Sequence, residues 1–550
     1  MILEYVEKTK AFVLRVRRSE NVDIQDLMKE HGLDYSSTAS HSHEAVLFTR
    51  EPCAALHFFD CGTPEAMQQL AALKEQVDKS WAPTGTAHIK TPSDRELWPF
   101  QKASVEYALQ RRNTLVADEP GLGKTPIAIC FANEIAASRV LVLCPANIRL
   151  QWAARVREWS TMTWPNVIYP IMKGSHGVHP QANWTIVSYD LARTPAIGRA
   201  LAAGMYDLLI LDEAHYLKTI DSRRTRAVFG GGMSPEFPAL ESRCGSILAL
   251  TGTPLPNRPR EAFTLARGLC PDSIDFMSED RFKARFNPSM TKEIVDRVTG
   301  KTKFVIDERS GRHFELQNRL RSNFMVRHLK RDVMPQLKMP DYDIIHMEET
   351  GPVKAALKAE SLLGLDPDEL DNPDATNNFE LRGHIAAVRR QMGMALAPQI
   401  ADYVNMLIEG GEEKLVIFAW HIEVLNILQN ALQRHGVIRI DGSTGAANKQ
   451  RLVDEFVSDP SKDIMLGNMQ SIGTGTDGLQ HVAWHALIAE ASWVPGDNEQ
   501  AVDRLDRGGQ NKTVQADFFV APGSISEKVL ASSLRKRQVT HKSLDERMKS

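Results

Sequence analysis

Asp118-Glu119-Pro120-Gly121-Leu122-Gly123-Lys124-Thr125 stands between two apolar runs, Thr114-Leu115-Val116-Ala117 before it and residues 127–131 after it. The order predicts a strand, a glycine-rich turn and the start of a helix. Such a turn points several backbone N–H groups into one concavity, and the helix N-terminus adds partial positive charge. Lys124 is placed to reach the terminal phosphates of a nucleoside triphosphate, and the Thr125 hydroxyl to hold Mg²⁺. The stretch departs from the pattern G-x-x-x-x-G-K-[ST], because Asp118 stands where the first glycine would. Pro126 falls in the first helical turn, where its missing N–H would have had no partner.

A second motif completes that site. Leu208-Leu209-Ile210-Leu211 runs into Asp212-Glu213-Ala214-His215. An all-apolar run of this length predicts a buried parallel strand, and the carboxyl ends of such strands bind ligands. Asp212 fits a Mg²⁺-holding carboxylate and Glu213 the group that orients the water attacking the γ-phosphate. A third stretch, Gln500-Ala501-Val502-Asp503-Arg504-Leu505-Asp506-Arg507-Gly508-Gly509-Gln510, places Arg504 and Arg507 three apart on one helix face. By itself this pair reads as a solvated charged face. Beside a phosphate loop, paired arginines suit the charge that spreads over a transferring phosphoryl group.

At 550 residues the chain predicts two to four domains. Its 43% hydrophobic and 25% charged content is that of a globular protein. No apolar run approaches the ~20 residues of a membrane span. Met1-Ile2-Leu3-Glu4 does not begin a secretory signal, and six cysteines without a C-x-x-C pair fit a reducing compartment. An intracellular, cytoplasmic protein is expected, nuclear if the host is eukaryotic, with no membrane association. The net charge of −3 excludes a globally basic nucleic-acid binder but not a local basic track. His41, His43, Cys53, His57 and Cys61 match no regular zinc spacing.

Hydrophobic patterning divides the chain. Residues 1–81 read as a small α+β unit, with a helix start at Thr63-Pro64-Glu65, where a capping hydroxyl precedes proline and an acid. Residues 82–96 read as a linker. Short apolar strands alternate with helical patterns over 97–340 and again over 411–550, the signature of two parallel α/β lobes. Residues 341–410 read as the connection, including an acidic, turn-rich stretch over 366–374.

Taken together these motifs resemble, in order, those of the Swi/Snf-type branch of superfamily-two helicases and translocases. Leu97-Trp98-Pro99-Phe100-Gln101 is similar to the Q motif, with Gln101 reading adenine. Residues 118–125 resemble motif I, in which Asp118, Glu119, Pro120, Gly121, Leu122, Gly123, Lys124 and Thr125 would bind ATP. Val140-Leu141-Val142-Leu143-Cys144-Pro145 with Trp152 resembles motif Ia, and Ile186-Val187-Ser188-Tyr189 motif Ib. Asp212 to His215 is the DEAH form of motif II, and Leu250-Thr251-Gly252-Thr253-Pro254 resembles motif III. Phe324-Met325-Val326-Arg327-His328-Leu329-Lys330-Arg331-Asp332-Val333 resembles a basic segment specific to this branch. Residues 415–418, 471–479 and 500–510 resemble motifs IV, V and VI. Arg389-Arg390-Gln391-Met392-Gly393 with Ala397-Pro398 is similar to a stretch of the HARP-like annealing-helicase branch. Pro120, Pro126-Ile127, Asp506 and the motif V variant around Asp477 depart from the family's pattern.

The resemblance implies two tandem RecA-like lobes of the P-loop NTPase type behind the α+β unit. It implies a DNA-dependent ATPase using ATP and Mg²⁺, with Thr125 and Asp212 at the metal. Glu213, Gln500, Arg504 and Arg507 would act on the phosphates. It further implies DNA contacts through Pro145, Asn147, Tyr189, Arg327, Lys330, Trp420, Ser443, Gln470 and Ser471. The expected partner is double-stranded or branched DNA, which the enzyme would remodel or reanneal. The alternatives are displacement of proteins from DNA and, more remotely, strand separation. A monomer is expected, with the N-terminal unit recognising DNA structure or a protein partner.

Overall fold

The computed structural model describes residues 1–20, 22–162, 166–230, 237–295, 302–308, 311–362, 379–472 and 477–546. The acidic stretch 366–374 and motif V residues 473–476 lie outside them. The N-terminal unit is an antiparallel sheet in the order Ile2–Val6, Ala11–Arg17, Glu44–Thr49, Asp34–Tyr35. Phe12, Leu14 and Val16 alternate inward from its second strand and pack on Leu70 and Val77 of helix Pro64–Lys79. Thr63 caps that helix by accepting from the Ala66 N–H, with Pro64 in its first turn. Cys53 is buried and His57 packs on Phe314, and among the described residues no cluster of His, Cys, Asp or Glu is arranged to hold a metal.

The unit is docked on lobe 1 rather than tethered to it. His31 stacks on Phe314 with ring centres 4.5 Å apart, the Asn318 amide donates to the Cys53 carbonyl, and Arg319 pairs with Glu51.

Lobe 1 holds a seven-stranded, wholly parallel sheet. Its order is Met325–Val326, Asn113–Val116, Cys244–Leu250, Tyr206–Asp212, Val140–Cys144, Trp184–Ser188, Ile168–Pro170. The apolar runs are continuous because both faces are buried. Leu209, Leu211, Leu141 and Leu143 enter one core, while Leu208, Ile210, Val140 and Val142 enter the other. The register sets Leu250 opposite both Val116 and Asp212. The phosphate loop, the Asp212-Glu213 pair and the 251–253 turn therefore leave the sheet side by side.

Lobe 2 is a six-stranded parallel sheet in the order Asp341–His346, Gln515–Val520, His485–Ile488, Leu415–Ala419, Ile464–Asn468, Ile438–Ile440. Two predicted boundaries change. Residues 341–346, expected in the connection, form the edge strand of lobe 2 and pair in register with 515–520. Their exposed, half-polar sequence masked the strand. Helix Phe379–Glu409, also placed in the connection, buries Ile400 and Val404 in the lobe 2 core. The C-terminal helix Ile525–Asp545 starts in that core at Ile525 and Val529 and ends in the lobe 1 core at Leu544. It straps the two lobes together. Among the described residues no helix is long and apolar enough to cross a membrane.

Candidate functional site: two clefts between the lobes

One cleft gathers the predicted nucleotide residues from both lobes. Lobe 1 lines it with Gln101, Lys124, Thr125, Trp152, Asp212 and Glu213, and lobe 2 with Gln500, Arg504 and Arg507. Gly121 and Gly123 turn the loop at φ +87° and +75°, a region that favours glycine. A side chain at Gly123 would also strike Gln101, since an added Cβ would lie 2.4 Å from its Nε2. Helix Lys124–Glu134 starts at this turn and aims its N-terminus into the cleft. The Lys124 ammonium donates to the carbonyls of Asp118 at 2.8 Å and Glu119 at 3.2 Å.

Asp212 ends its strand with both carboxylate oxygens oriented, Oδ2 accepting from Trp152 Nε1 at 2.6 Å and Oδ1 from the Glu213 N–H at 3.0 Å. Burial and the neighbouring Glu213 push its carboxyl up to about 7. Glu213 sits at φ +51°, a left-handed conformation costing ~1–3 kcal/mol, of the kind that clusters at working sites. Burial opposes its charge, but His215, 3.2 Å away, together with Lys124 and Arg504, holds its pKa below the usual value.

Arg504 and Arg507 face the cleft, not open solvent. Arg507 lies against the phosphate loop, so that a Cβ added at Gly121 would be 3.2 Å from Arg507 Cγ. Burial lowers the pKa of Lys124, Arg504 and Arg507, and Arg507 adds to the shift at Arg504. With Arg95 and Arg155, five cations line this cleft against four carboxylates, Glu96, Asp212, Glu213 and Asp477, and the excess favours a polyanion. Hard oxygen donors on Thr125 and Asp212 fit Mg²⁺, which takes one or two protein ligands and fills its shell with phosphate and water.

Three expected nucleotide contacts need correction. The Gln101 carboxamide is spent inside lobe 1, accepting from Trp98 N–H and donating to the Leu122 carbonyl, so it braces the phosphate loop instead of reading adenine. Asp118 is fully buried and accepts from Ser104, His328 N–H and His328 Nδ1. Glu119 accepts from the Lys330 N–H. Both carboxylates anchor the loop to the basic segment and turn away from the cleft. Pro120 packs on Gly252, whose added Cβ would lie 2.6 Å from the proline ring.

The expected DNA contacts change more. Tyr189 is buried and donates to the Asp212 carbonyl at 2.8 Å, so it supports the catalytic strand. Arg327 is buried and pairs with Asp545 while donating to the carbonyls of Ala117 and Gly252. Lys330 is buried against Asp503 and Asp506. Pro145 and Ser471 are buried as well. Their side chains are turned inward in this conformation. Asn147 and Trp420 are half-buried and Ser443 is exposed, while the Gln470 side chain lies outside the described residues.

A second cleft opens on the other side of Glu213 and Gln500. It is lined by Arg193, His215, Tyr216, Lys218, Thr219, Ser222, Arg223 and Arg224 of lobe 1, and by Val494, Gly496, Asp497 and Gln500 of lobe 2. Asp190 lines it beside Asp497 and takes hydrogen bonds from Arg193 and Arg224. Lys218, Arg223, the hydroxyls and the aromatic ring suit contact with a phosphodiester backbone. None of the sequence-derived DNA candidates lines it. The signal was present in Lys218-Thr219-Ile220-Asp221-Ser222-Arg223-Arg224 directly after motif II, but it reads as an ordinary charged loop until the fold turns it into the seam. His215 lines this cleft, sits 3.2 Å from Glu213 and lies 3.0 Å from the Thr251 hydroxyl, so it links the two clefts.

Residues 100–351 match the model of the SNF2-related domain. The DNA annealing helicase and endonuclease ZRANB3 of Bos taurus is 28% identical over 88% of this chain and 43% of that protein. The SWI/SNF-related matrix-associated actin-dependent regulator of chromatin subfamily A-like protein 1 of Bos taurus is 30% identical over 78% of this chain and 43% of that protein. The chain thus spans less than half the length of these relatives. The Sulfolobus solfataricus SWI2/SNF2 ATPase core in complex with dsDNA covers 84% of this chain at 16% identity with a TM-score of 0.38, too low to carry an argument. Over residues 100–351 the chain therefore carries the pattern of an SNF2-related domain.

Proposed function

We propose that this protein is an ATP-driven translocase on double-stranded DNA that remodels or reanneals forked and branched DNA. One observation carries the reading: a single cleft receives Lys124, Thr125, Asp212 and Glu213 from one lobe and Gln500, Arg504 and Arg507 from the other. ATP in that cleft would hold the lobes together through its phosphates. Lys124 would draw the terminal phosphates onto the loop N–H groups. Glu213 would orient the attacking water, and Arg504 and Arg507 would meet the charge of the transferring phosphoryl group. Thr125 and Asp212 would hold Mg²⁺, which when bound neutralises phosphate charge. Loss of the γ-phosphate removes the bridging contacts and favours an open cleft, a hinge transition with different contacts in two states.

The second cleft supplies the track. Gln500 lines both clefts, and His215 touches the residue that orients water, so DNA in the second cleft would act on the first through a short chain of contacts. The annealing reading follows the ZRANB3 similarity and the residues at 389–398. The test compares ATP hydrolysis with and without duplex DNA, then strand reannealing against protein displacement. DNA-stimulated hydrolysis with reannealing is the expected result. Hydrolysis indifferent to DNA would overturn the translocase reading, and displacement without reannealing would move it to the alternative.

A further inference from the structure

Behind the nucleotide cleft, on the opposite side of the arginine-bearing turn, one lysine is completely used. Lys330 opens the short helix Lys330–Val333 of lobe 1 and reaches across the seam into lobe 2. Its ammonium donates to Asp503 Oδ1 at 2.5 Å, Asp506 Oδ2 at 2.6 Å and the Asp506 carbonyl at 2.6 Å. An ammonium has three donors, and three oxygens take them. The Lys330 backbone N–H meanwhile donates to Glu119 of the phosphate loop. One residue thus grips both edges of the seam.

The partners alternate with the cleft arginines along the chain. Asp503 and Asp506 face the cavity that Lys330 also lines, while Arg504 and Arg507 face the nucleotide cleft. The packing leaves no slack: a Cβ added at Gly121 would meet Arg507 Cγ at 3.2 Å, the Asp506 carbonyl at 3.5 Å and Lys330 Cε at 3.6 Å. Lys330 itself does not line the nucleotide cleft.

We propose that Lys330 is a positioning residue for hydrolysis, tying the Arg504–Arg507 turn of lobe 2 to the phosphate loop of lobe 1 and so fixing how far the two arginines reach into the cleft. This rests on the ATPase reading above. A lysine that acts through the arginines affects the hydrolytic step and not nucleotide capture, because capture belongs to the loop and Lys124. Once Arg507 is gone only Arg504 is left for it to position, so its effect shrinks in that background. Arginine at 330 keeps the charge, but its planar fork does not match a compact three-oxygen pocket.

The experiment is a double-mutant cycle on the full chain, wild type, Lys330→Met, Arg507→Ala and the double variant, measured by single-turnover hydrolysis on duplex DNA and by binding of a fluorescent ATP analogue. Lys330→Met is expected to slow hydrolysis about 10- to 100-fold with analogue affinity within about 3-fold of wild type, and to cost much less, under about 3-fold, in the Arg507→Ala background, where only Arg504 remains to be positioned. Lys330→Arg is expected to recover part of the loss. The same loss in both backgrounds, or weakened analogue binding with hydrolysis intact, overturns the proposal. Should Lys330→Met fail to fold, Asp506→Asn replaces it in the same cycle with a smaller expected loss, about 3- to 10-fold, and the same overturning results. A wild type without DNA-stimulated hydrolysis defeats the underlying reading instead, so the two failures are distinct.

Discussion

The nucleotide cleft and the seam behind it bury the same kinds of side chain to opposite ends. In the seam, Arg327 faces Asp545 and two carbonyls, and Lys330 faces two carboxylates and a carbonyl. Burial opposes charge at both, yet these partners raise both pKa values above the ordinary ones. In the cleft, among the described residues, Lys124 donates only to loop carbonyls, and Arg507 donates to the Asp503 carbonyl and stands 3.6 Å from Asp477. Burial wins there and holds the pKa values of both down. A buried cation whose anions are present is structure, and a buried cation short of anions is a site prepared for one.

The contrast breaks most sharply at Lys124. Lys124→Ala is expected to cut turnover by more than about 10³-fold while leaving DNA binding and thermal stability near wild type. Near-normal hydrolysis would remove the distinction between the two regions. Arg327→Ala is expected to do the reverse, costing about 3–5 kcal/mol in chemical unfolding because buried Asp545 loses its arginine and, among the described residues, keeps only His541 at 3.8 Å as an ion-pair partner. A variant as stable as wild type would show that the seam is not held by that pair.

A third satisfied cation sharpens the comparison through pH. His485 lies between Asp517 at 2.9 Å and Glu412 at 3.1 Å in lobe 2. Burial opposes its charge, but those two carboxylates hold it up at about 9. Its folded pKa exceeds the unfolded value, so its contribution is complete below about 6.5 and lost as pH rises through about 9. Lobe 2 is expected to lose at most about 3 kcal/mol across that window, and His485→Gln to flatten the slope. Urea unfolding between pH 6 and pH 9.5 measures it, and a flat wild-type profile would contradict the assignment.

The smallest effect is expected on the rim of the second cleft, where cations are neither buried nor fully paired. Arg223 is exposed, and Arg224 shares Asp190 with Arg193. Replacing Arg223 and Arg224 by alanine is expected to weaken duplex binding about 10-fold and to lower the salt slope by about 2, with DNA-free hydrolysis unchanged. An unchanged salt slope would place the track elsewhere.

This contrast also marks where the chain was legible. The parallel sheets and the strand-end positions of Lys124, Asp212 and Glu213 followed from apolar runs ending in charged or glycine-rich turns, a local pattern. The arginine pair was read as a helix face, but helix Pro495–Val502 ends before it, so Arg504 and Arg507 sit in the turn that follows, and that they face the cleft required the fold. Arg327 and Lys330 misled because their carboxylates, Asp545, Asp503 and Asp506, lie more than a hundred residues away. Tyr189 and Gln101 misled in the same way: a polar tip in sequence says nothing of the buried carbonyl it will meet. The edge strand Asp341–His346 was hidden because an exposed edge carries too few apolar residues to show a period.

The account stands on an ATP site divided between two separately folded lobes, and Arg507→Ala tests it most directly. Nucleotide-analogue binding and single-turnover hydrolysis are measured on the same protein with duplex DNA. The divided site predicts analogue affinity within about 5-fold of wild type and hydrolysis slowed by about 10³-fold or more. Hydrolysis near the wild-type rate, or binding lost in step with hydrolysis, would contradict it.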